Sequence, residues 1–340
     1  MRKFLLYCFC FILLFSCTSK RTQNKYDKYG GTLRLAIYDV TFDEYIFSPT
    51  IVCDLEKMLG GIFYDGLFSI NPFSLSTENS ICKSWDVDNT GLIYVFHLDS
   101  TAVFTKDDCF PNGTRNVNAY DVKYTFHILS NPTIGTTNFT NTVYHIKGAK
   151  EYYSMPKEIR DTSRIEGITV VDNYTLKITL DKPSPRFIQN LAHPSAAIIP
   201  FEAVEKYGNK STIGVGPFRY QTDSTHFIFV RNPQYYKFDA KKNRLPYLDS
   251  IVITRVPDFE STIDLFVDNE IDAMLMVSGN KIATIQQLIP DSVHYEIVES
   301  NGVNLHGNGK LYNIIRSNVK GIYTNKMNIL NFSEVYKERN

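Results

Sequence analysis

Few residues of this chain are spaced for chemistry, and the most informative is Cys17. It closes a segment that begins with two cations, Arg2 and Lys3, continues through an apolar run from Phe4 to Phe15, and ends in Leu14-Phe15-Ser16-Cys17. A basic start, a short apolar core and a small residue before a cut site make an export signal rather than a membrane span. The run is also too short to cross a bilayer comfortably. The chemistry here is proteolytic removal of residues 1–16 in front of a cysteine. Catalytic spacings are missing elsewhere: there is no Gly-x-Ser-x-Gly, no His-Glu-x-x-His and no Ser/His/Asp grouping, and the seven histidines are scattered. His97 and His127 read as packed side chains, and the chain reads as a non-enzyme.

Leu14, Ser16 and Cys17 resemble the lipobox of bacterial lipoproteins. That resemblance implies that Cys17 becomes the new N-terminus and carries acyl chains, each buried methylene adding about 0.8 kcal/mol of anchoring. It implies an extracytoplasmic protein, lipid-anchored to the cell envelope in the periplasm or at the cell surface, with the membrane as a partner. Residues 17–29 are polar and aperiodic and read as a flexible tether.

The composition is that of a folded chain: 340 residues, 43% hydrophobic, 14% aromatic and a formal net charge of zero. A neutral balance without a long basic run argues against nucleic acid as a partner, because phosphate neutralisation needs clustered Lys and Arg. Of six cysteines, Cys8 and Cys10 leave with the signal, so Cys53, Cys82 and Cys109 remain in the folded part. A Cys82–Cys109 disulfide and three free thiols are both compatible with that count. No Cys-x-x-Cys or Cys/His spacing suggests zinc, so neither metal nor cofactor is expected.

Elements follow from periodicity and punctuation. Thr32 to Ile37 alternates as a strand; Asp54 to Phe63 spaces Leu55, Met58, Leu59 and Ile62 as a helix that stops at Asp65-Gly66. Apolar stretches 81–87 and 92–98, split by Asp88-Asn89-Thr90-Gly91, predict a hairpin. A second is predicted for 165–171 and 175–180 about Asp172-Asn173-Tyr174. Asn118 caps a helix to Leu129, with Val122, Phe126 and Leu129 on one face. A further helix spans Pro200 to Tyr207 and closes at Gly208, and Phe227 to Val230 is a strand. Strand 248–256, helix 261–269 and strand 271–276 form one β-α-β unit with parallel strands. Trp85, the only tryptophan, is expected in the core, with a pocket wall as the alternative. In Gly214-Val215-Gly216-Pro217-Phe218 the glycines are expected to adopt backbone angles closed to other residues.

These segments resemble the family 5 extracellular solute-binding proteins, the peptide, oligopeptide and nickel receptors of ABC importers. The resemblance rests on Gly30 to Ala36, Gly61 to Leu67, Ser84 to Val87 with Gly91 to Leu98, Asn118 to Phe126, Gly214 to Phe218, Arg231 to Tyr236, Leu245 to Asp249 and Phe266 to Asp272, in the family's order. It implies an α/β, periplasmic binding protein-like fold (type II, in the cluster with an extra domain), a mixed sheet with hairpins, and a solute-binding lobe over residues 30–306. It also implies capture of a peptide or other small solute for delivery to ABC permease subunits. Nickel or haem, carried by some relatives, finds no histidine pair at ligand spacing here.

Family members are considerably longer, and residues 307–340 resemble the family's own C-terminus returning to the first lobe. An internal loss between about His306 and Lys310, with the second lobe largely absent, is the expectation that follows. A half-cleft would leave most of a ligand's surface in water, so a truncated, non-binding remnant of the same fold is the alternative function. Ligand contacts in α/β sheets come from the carboxyl ends of strands. Tyr38, Asp39 and Val40 after the first strand, and Met276, Val277, Ser278 and Gly279 after the last clear one, are therefore the candidate wall. Tyr38 would stack, and Asp39 or the backbone would accept hydrogen bonds.

Overall fold

Leu33 and Leu35 alternate with Arg34 and Ala36, so one strand can serve two covered faces. In the computed structural model this strand, β1 (Thr32–Tyr38), is the centre of a seven-stranded sheet. The structure describes residues 28–38, 48–51, 54–71, 74–134, 136–160, 163–222, 226–300, 310–322 and 331–338. Cys17, Asp39, Val40, Cys53 and the 306–309 part of the junction lie outside the described residues. From one edge to the other the sheet runs β12 (Tyr295–Ser300), β13 (Leu311–Arg316), β11 (Ala273–Ser278), β1, β10 (Ser250–Val256), β9 (His226–Arg231) and β8 (Phe218–Thr222). The β1–β10 and β1–β11 pairs are parallel and the others antiparallel. The predicted β-α-β strands are thus parallel, but β1 lies between them.

Register carries the packing. Leu33, Ile251 and Phe229 stand in one row across β1, β10 and β9, and Leu35, Ile253 and Phe227 in the next. Onto these rows α1 (Asp54–Phe63) packs Leu59, Ile62 and Phe63. The opposite face, with Ala36, Met274, Val277 and Ile314, is covered by α8 (Phe259–Val267) and α9 (Ile282–Leu288) through Phe259, Ile263, Phe266 and Ile285. A sheet buried on both sides explains the nearly continuous apolar character of its inner strands.

A separate four-stranded antiparallel sheet, with a core of its own, runs in the order β4 (Cys82–Val87), β5 (Ile93–Leu98), β7 (Thr175–Thr179), β6 (Ile168–Asp172). Both hairpins appear where their turns predict them. Asp88 Oδ1 accepts the N–H groups of Leu92 and Ile93 at 3.0 and 2.9 Å, and Gly91 adopts φ 69°. Helix α2 (Ala119–Leu129) starts at a capping box between Asn118 and Asp121, and buries Val122, Phe126 and Leu129 against this sheet's core with Phe96 and Ile178. Five short helices, α3 (Thr136–Asn141), α4 (Ala149–Ser154), α5 (Lys157–Arg160), α6 (Phe187–Asn190) and α7 (Phe201–Tyr207), fill the connections. Two small hairpins complete the fold: β2 (Phe68–Ile70) with β3 (Thr77–Asn79), and β14 (Val319–Lys320) with β15 (Tyr336–Lys337).

Two expectations are corrected and one open alternative is decided. Trp85 is not a core residue: it lies on the edge strand β4, 36% exposed, its ring leaning on Tyr94. Cys82 and Cys109 are free thiols. Cys82 is buried in the sheet core and its Sγ donates to the Ser84 carbonyl, whereas Cys109 sits in a turn with its N–H on Asp107. Burial raises both thiol pKa values to about 12, which keeps them protonated and unreactive. Gly214 and Gly216 do not belong to the positive-φ glycines; what they supply is room.

A Cβ at Gly216 would overlap the backbone carbonyl carbon of Phe63, and one at Gly214 the Phe63 carbonyl oxygen. Gly216 N–H donates to that same oxygen at 3.0 Å, so the loop is held against the end of α1. Gly216→Ala is therefore expected to cost at least about 1–3 kcal/mol, as overpacking against unyielding atoms does, read as a lower urea midpoint at unchanged slope.

Candidate functional site

Because β1, β10 and β11 run parallel, Tyr38, Val256 and Ser278 end at the same edge of the large sheet. Tyr38 and Val256 are paired, and β11 joins β1 at the Leu35–Ala273 pair. Helix α8 starts directly behind this edge. Asp258 caps it, its Oδ1 accepting the Ser261 N–H at 2.7 Å. That cap puts Phe259 first in the helix, where its buried ring meets Tyr38 edge-on at 5.5 Å. Tyr38 itself remains 41% exposed, an aromatic surface supported from beneath. Lys281 holds its Nζ 4.9 Å from the Phe259 ring centroid and 3.8 Å from Glu260.

The β11 side of the edge is irregular. Pairing with β13 shifts between Met274 and Val277, and Met276 takes φ 57°, a region that a bulky residue enters only when its surroundings demand it. The demand is visible: Met276 N–H donates to Oδ1 of Asn313, a buried amide on β13, at 3.0 Å. Bulges of this kind re-aim side chains next to functional sites. Gly279 follows with its N–H on the Lys310 carbonyl at 2.8 Å, and a Cβ there would crowd that carbonyl and the Tyr312 ring.

The structure thus brings Tyr38 and Met276 to Gly279 to one edge. Met276, Val277 and Ser278 lie inside β11 rather than beyond it, and Val277 is buried in the cluster below, so its side chain forms floor rather than wall. Asp39 and Val40 lie outside the described residues. Phe259, Lys281 and Asn313 were not among the sequence candidates. The signal for Phe259 was available in Asp258 and Ser261, a cap whose first helical residue must sit beside the strand end; nothing local marked Lys281 or Asn313. Such an edge offers an aromatic face, an ammonium and turned backbone groups, which suits binding an extended polar solute. Among the described residues no group of three His, Cys, Asp or Glu is arranged to hold a metal ion.

The profile described as bacterial extracellular solute-binding proteins, family 5 middle, matches residues 77–319. The glutathione-binding protein GsiB of Salmonella typhimurium is 31% identical over 223 residues, covering 64% of this chain and 36% of that protein. The periplasmic oligopeptide-binding protein OppA of Escherichia coli is 28% identical over 229 residues, covering 64% and 38%. Among solved structures, the substrate-binding domain of an oligopeptide ABC transporter from Bacillus anthracis superposes with a TM-score of 0.64 at 19% identity, over 81% of this chain and 50% of that one. The chain spans between about a third and half the length of these relatives, and they are solute-binding proteins rather than enzymes. With the family profile covering well over half of its residues, the chain belongs to the bacterial extracellular solute-binding proteins of family 5.

Proposed function

We propose that this protein is the substrate-binding component of an ABC importer, capturing peptides or similar solutes outside the cytoplasm for delivery to permease subunits, and that acyl chains on Cys17 hold it at the membrane. The observation that carries the reading is the convergence of three parallel strand ends on Tyr38, with Phe259 and Lys281 behind it. Crevices outside the carboxyl ends of strands are where α/β sheets bind ligands. The names of the relatives support the solute class: one binds oligopeptides and another glutathione, itself a peptide. No helix of the described residues is long and apolar enough to cross a membrane, and the anchor rests on the Leu14 to Cys17 sequence alone.

In this reading Tyr38 stacks on the solute, and Lys281 faces its carboxylate end. Tyr38→Ala should weaken peptide binding by about tenfold or more, the size of a lost aromatic contact at a binding surface, with the fold unchanged by circular dichroism. Equal affinity of both proteins for the same peptide pool would remove Tyr38 from the site.

A further inference from the structure

The chain as a whole is neutral, but its positive charge is not spread evenly. Residues 18–28 carry Lys20, Arg21, Lys25 and Lys28 against one acid, Asp27, and the loop 239–244 carries Lys241, Lys242 and Arg244 against Asp239. The structure joins the two segments. Tyr29 Oη donates to the Arg244 carbonyl at 2.8 Å, its ring meets Tyr247 edge-on at 5.4 Å, and Gly30 N–H donates to the Tyr247 carbonyl at 2.9 Å. Lys28 holds its Nζ 4.9 and 4.8 Å from the Tyr247 and Tyr336 ring centroids. The chain therefore enters the fold beside this loop.

The loop presents its cations to solvent. Asp239 is engaged within it: Oδ1 accepts the N–H groups of Lys241 and Asn243 at 2.9 and 2.7 Å, and Oδ2 accepts from the Tyr247 hydroxyl and the Asn243 amide. Lys241, Lys242 and Arg244 are exposed, and among the described residues none of the three has a carboxylate at ion-pair distance. Next to them the Phe238 ring is 52% exposed, with the Arg244 guanidinium 5.2 Å from its centroid. A large exposed ring among unpaired cations is the composition of a face that meets anionic lipid. Its position in the fold suits that role. β1 and β10 run in parallel away from this end, from Thr32 and Ser250 to Tyr38 and Val256, so the loop and the Tyr38 edge lie at opposite ends of the central strands.

We propose that the 238–244 loop, together with the cations of residues 20–28, docks on an anionic phospholipid surface, with Lys241, Lys242 and Arg244 over the headgroups and Phe238 at the interface. This rests on the reading that acyl chains on Cys17 hold the chain at the membrane, and adds which face it turns to that membrane. Only residues 18–27 separate Cys17 from Lys28, at most about 35 Å of extended chain. Attraction to the surface acts over about 8 Å at physiological salt, so a short tether entering the fold at the basic loop brings that loop, rather than another face, within range. The docked chain turns its Tyr38 edge to solution, a posture for capture, and delivery follows release from it.

The test uses the full chain as the cell processes and acylates it, reconstituted on vesicles of phosphatidylcholine or of an equal mixture of phosphatidylcholine and phosphatidylglycerol. Acetylation of Lys241 and Lys242 by an amine-reactive reagent is read by mass spectrometry against Lys157, an exposed lysine on α5. On the mixed vesicles their labelling should fall about tenfold relative to Lys157, and should recover at about 1 M salt, where charges are screened within about 3 Å. On phosphatidylcholine alone no shielding is expected. Lys242→Glu, at an exposed tip where the fold is not at risk, should restore most of the labelling of Lys241 on the mixed vesicles. Equal labelling on both kinds of vesicle, shielding that salt does not remove, or shielding unchanged in Lys242→Glu overturns the proposal. Flotation with phosphatidylcholine vesicles reads the anchor separately. A chain that floats on both vesicles and is shielded on neither keeps the anchor and discards the docking face, whereas one shielded only on the mixed vesicles without floating on phosphatidylcholine discards the anchor and keeps the face.

Discussion

Asp272→Ala is expected to cost about 3–5 kcal/mol of stability, the penalty for breaking a buried ion pair and leaving its partners uncompensated. Asp272 is 1% exposed and is held from three directions. Arg34 donates its backbone N–H to Oδ2 at 2.7 Å and its guanidinium to both oxygens, at 3.2 and 2.8 Å. Lys337 reaches Oδ1 at 2.9 Å and the Thr32 carbonyl at 3.2 Å. The carboxylate therefore ties β1, the start of β11 and the β15 strand into one knot, over which Val319, Phe332 and Val335 pack on the core. Truncation would leave two cations around a half-buried void. Urea unfolding followed by circular dichroism reads the loss, and a change below about 1 kcal/mol would mean that solvent already compensates the site.

The same knot gives a pH dependence. Burial pushes the Asp272 pKa up, but hydrogen bonds from Arg34 and Lys337 outweigh it and hold the carboxyl below its usual range. A group whose folded pKa is depressed contributes stability above its unfolded value, about 3.9 for Asp, and loses that contribution as the pH falls through the folded one. The Asp272 variant should therefore show a flatter decline of stability on the acid side than the unaltered protein.

Arg115→Ala is the second large effect, about 3 kcal/mol. The guanidinium bridges two carboxylates on the first turns of different helices: Asp121 of α2 at 2.8 and 2.6 Å, and Glu202 of α7 at 2.7 and 2.6 Å. Its plane also lies near the Phe104 and Phe110 rings, at 5.1 and 5.5 Å. Asp121 is buried and accepts the Asn118 N–H at 2.9 Å as half of the capping box, so removing Arg115 strands a buried charge. Hydrogen bonding to Arg115 holds the Glu202 pKa below its ordinary value, a contribution present at neutral pH and lost on acidification. Arg115→Lys should recover less than half of the loss, since an ammonium cannot engage two carboxylates with paired donors. Full recovery by lysine would show that charge alone, not the forked geometry, joins the two helices.

How far the sequence reached is clearest at particular elements. Both hairpins of the small sheet were legible because Asp88 to Gly91 and Asp172 to Tyr174 supply turn chemistry in place. Helix α2 was legible because Asn118 and Asp121 mark its first turn. Strands β12 and β13 were not: β13 carries Asn313 in its middle, breaking the apolar alternation, and that amide makes sense only against Met276, far away in the chain. The short helices α3 to α6 have too few residues for periodicity to register. Trp85 misled because a large ring usually seeks the core, whereas an edge strand gives it only one neighbour. At the candidate site, the rule of strand ends put Tyr38 and Met276 among the candidates, but Phe259 and Lys281 come together only once α8 and α9 pack on the sheet. The Arg34–Asp272–Lys337 knot was likewise invisible, since each member looks like an ordinary charged residue until β1, β11 and β15 meet.

Calorimetric titration of the folded, full-length chain with a mixed pool of short oligopeptides tests the central claim that the Tyr38 edge captures a solute. The expected result is saturable heat at one solute per chain with Kd in the micromolar range, about −8 kcal/mol, reduced in Tyr38→Ala. A correctly folded sample that gives no heat with any peptide pool would contradict the claim and leave a family 5 fold that no longer binds.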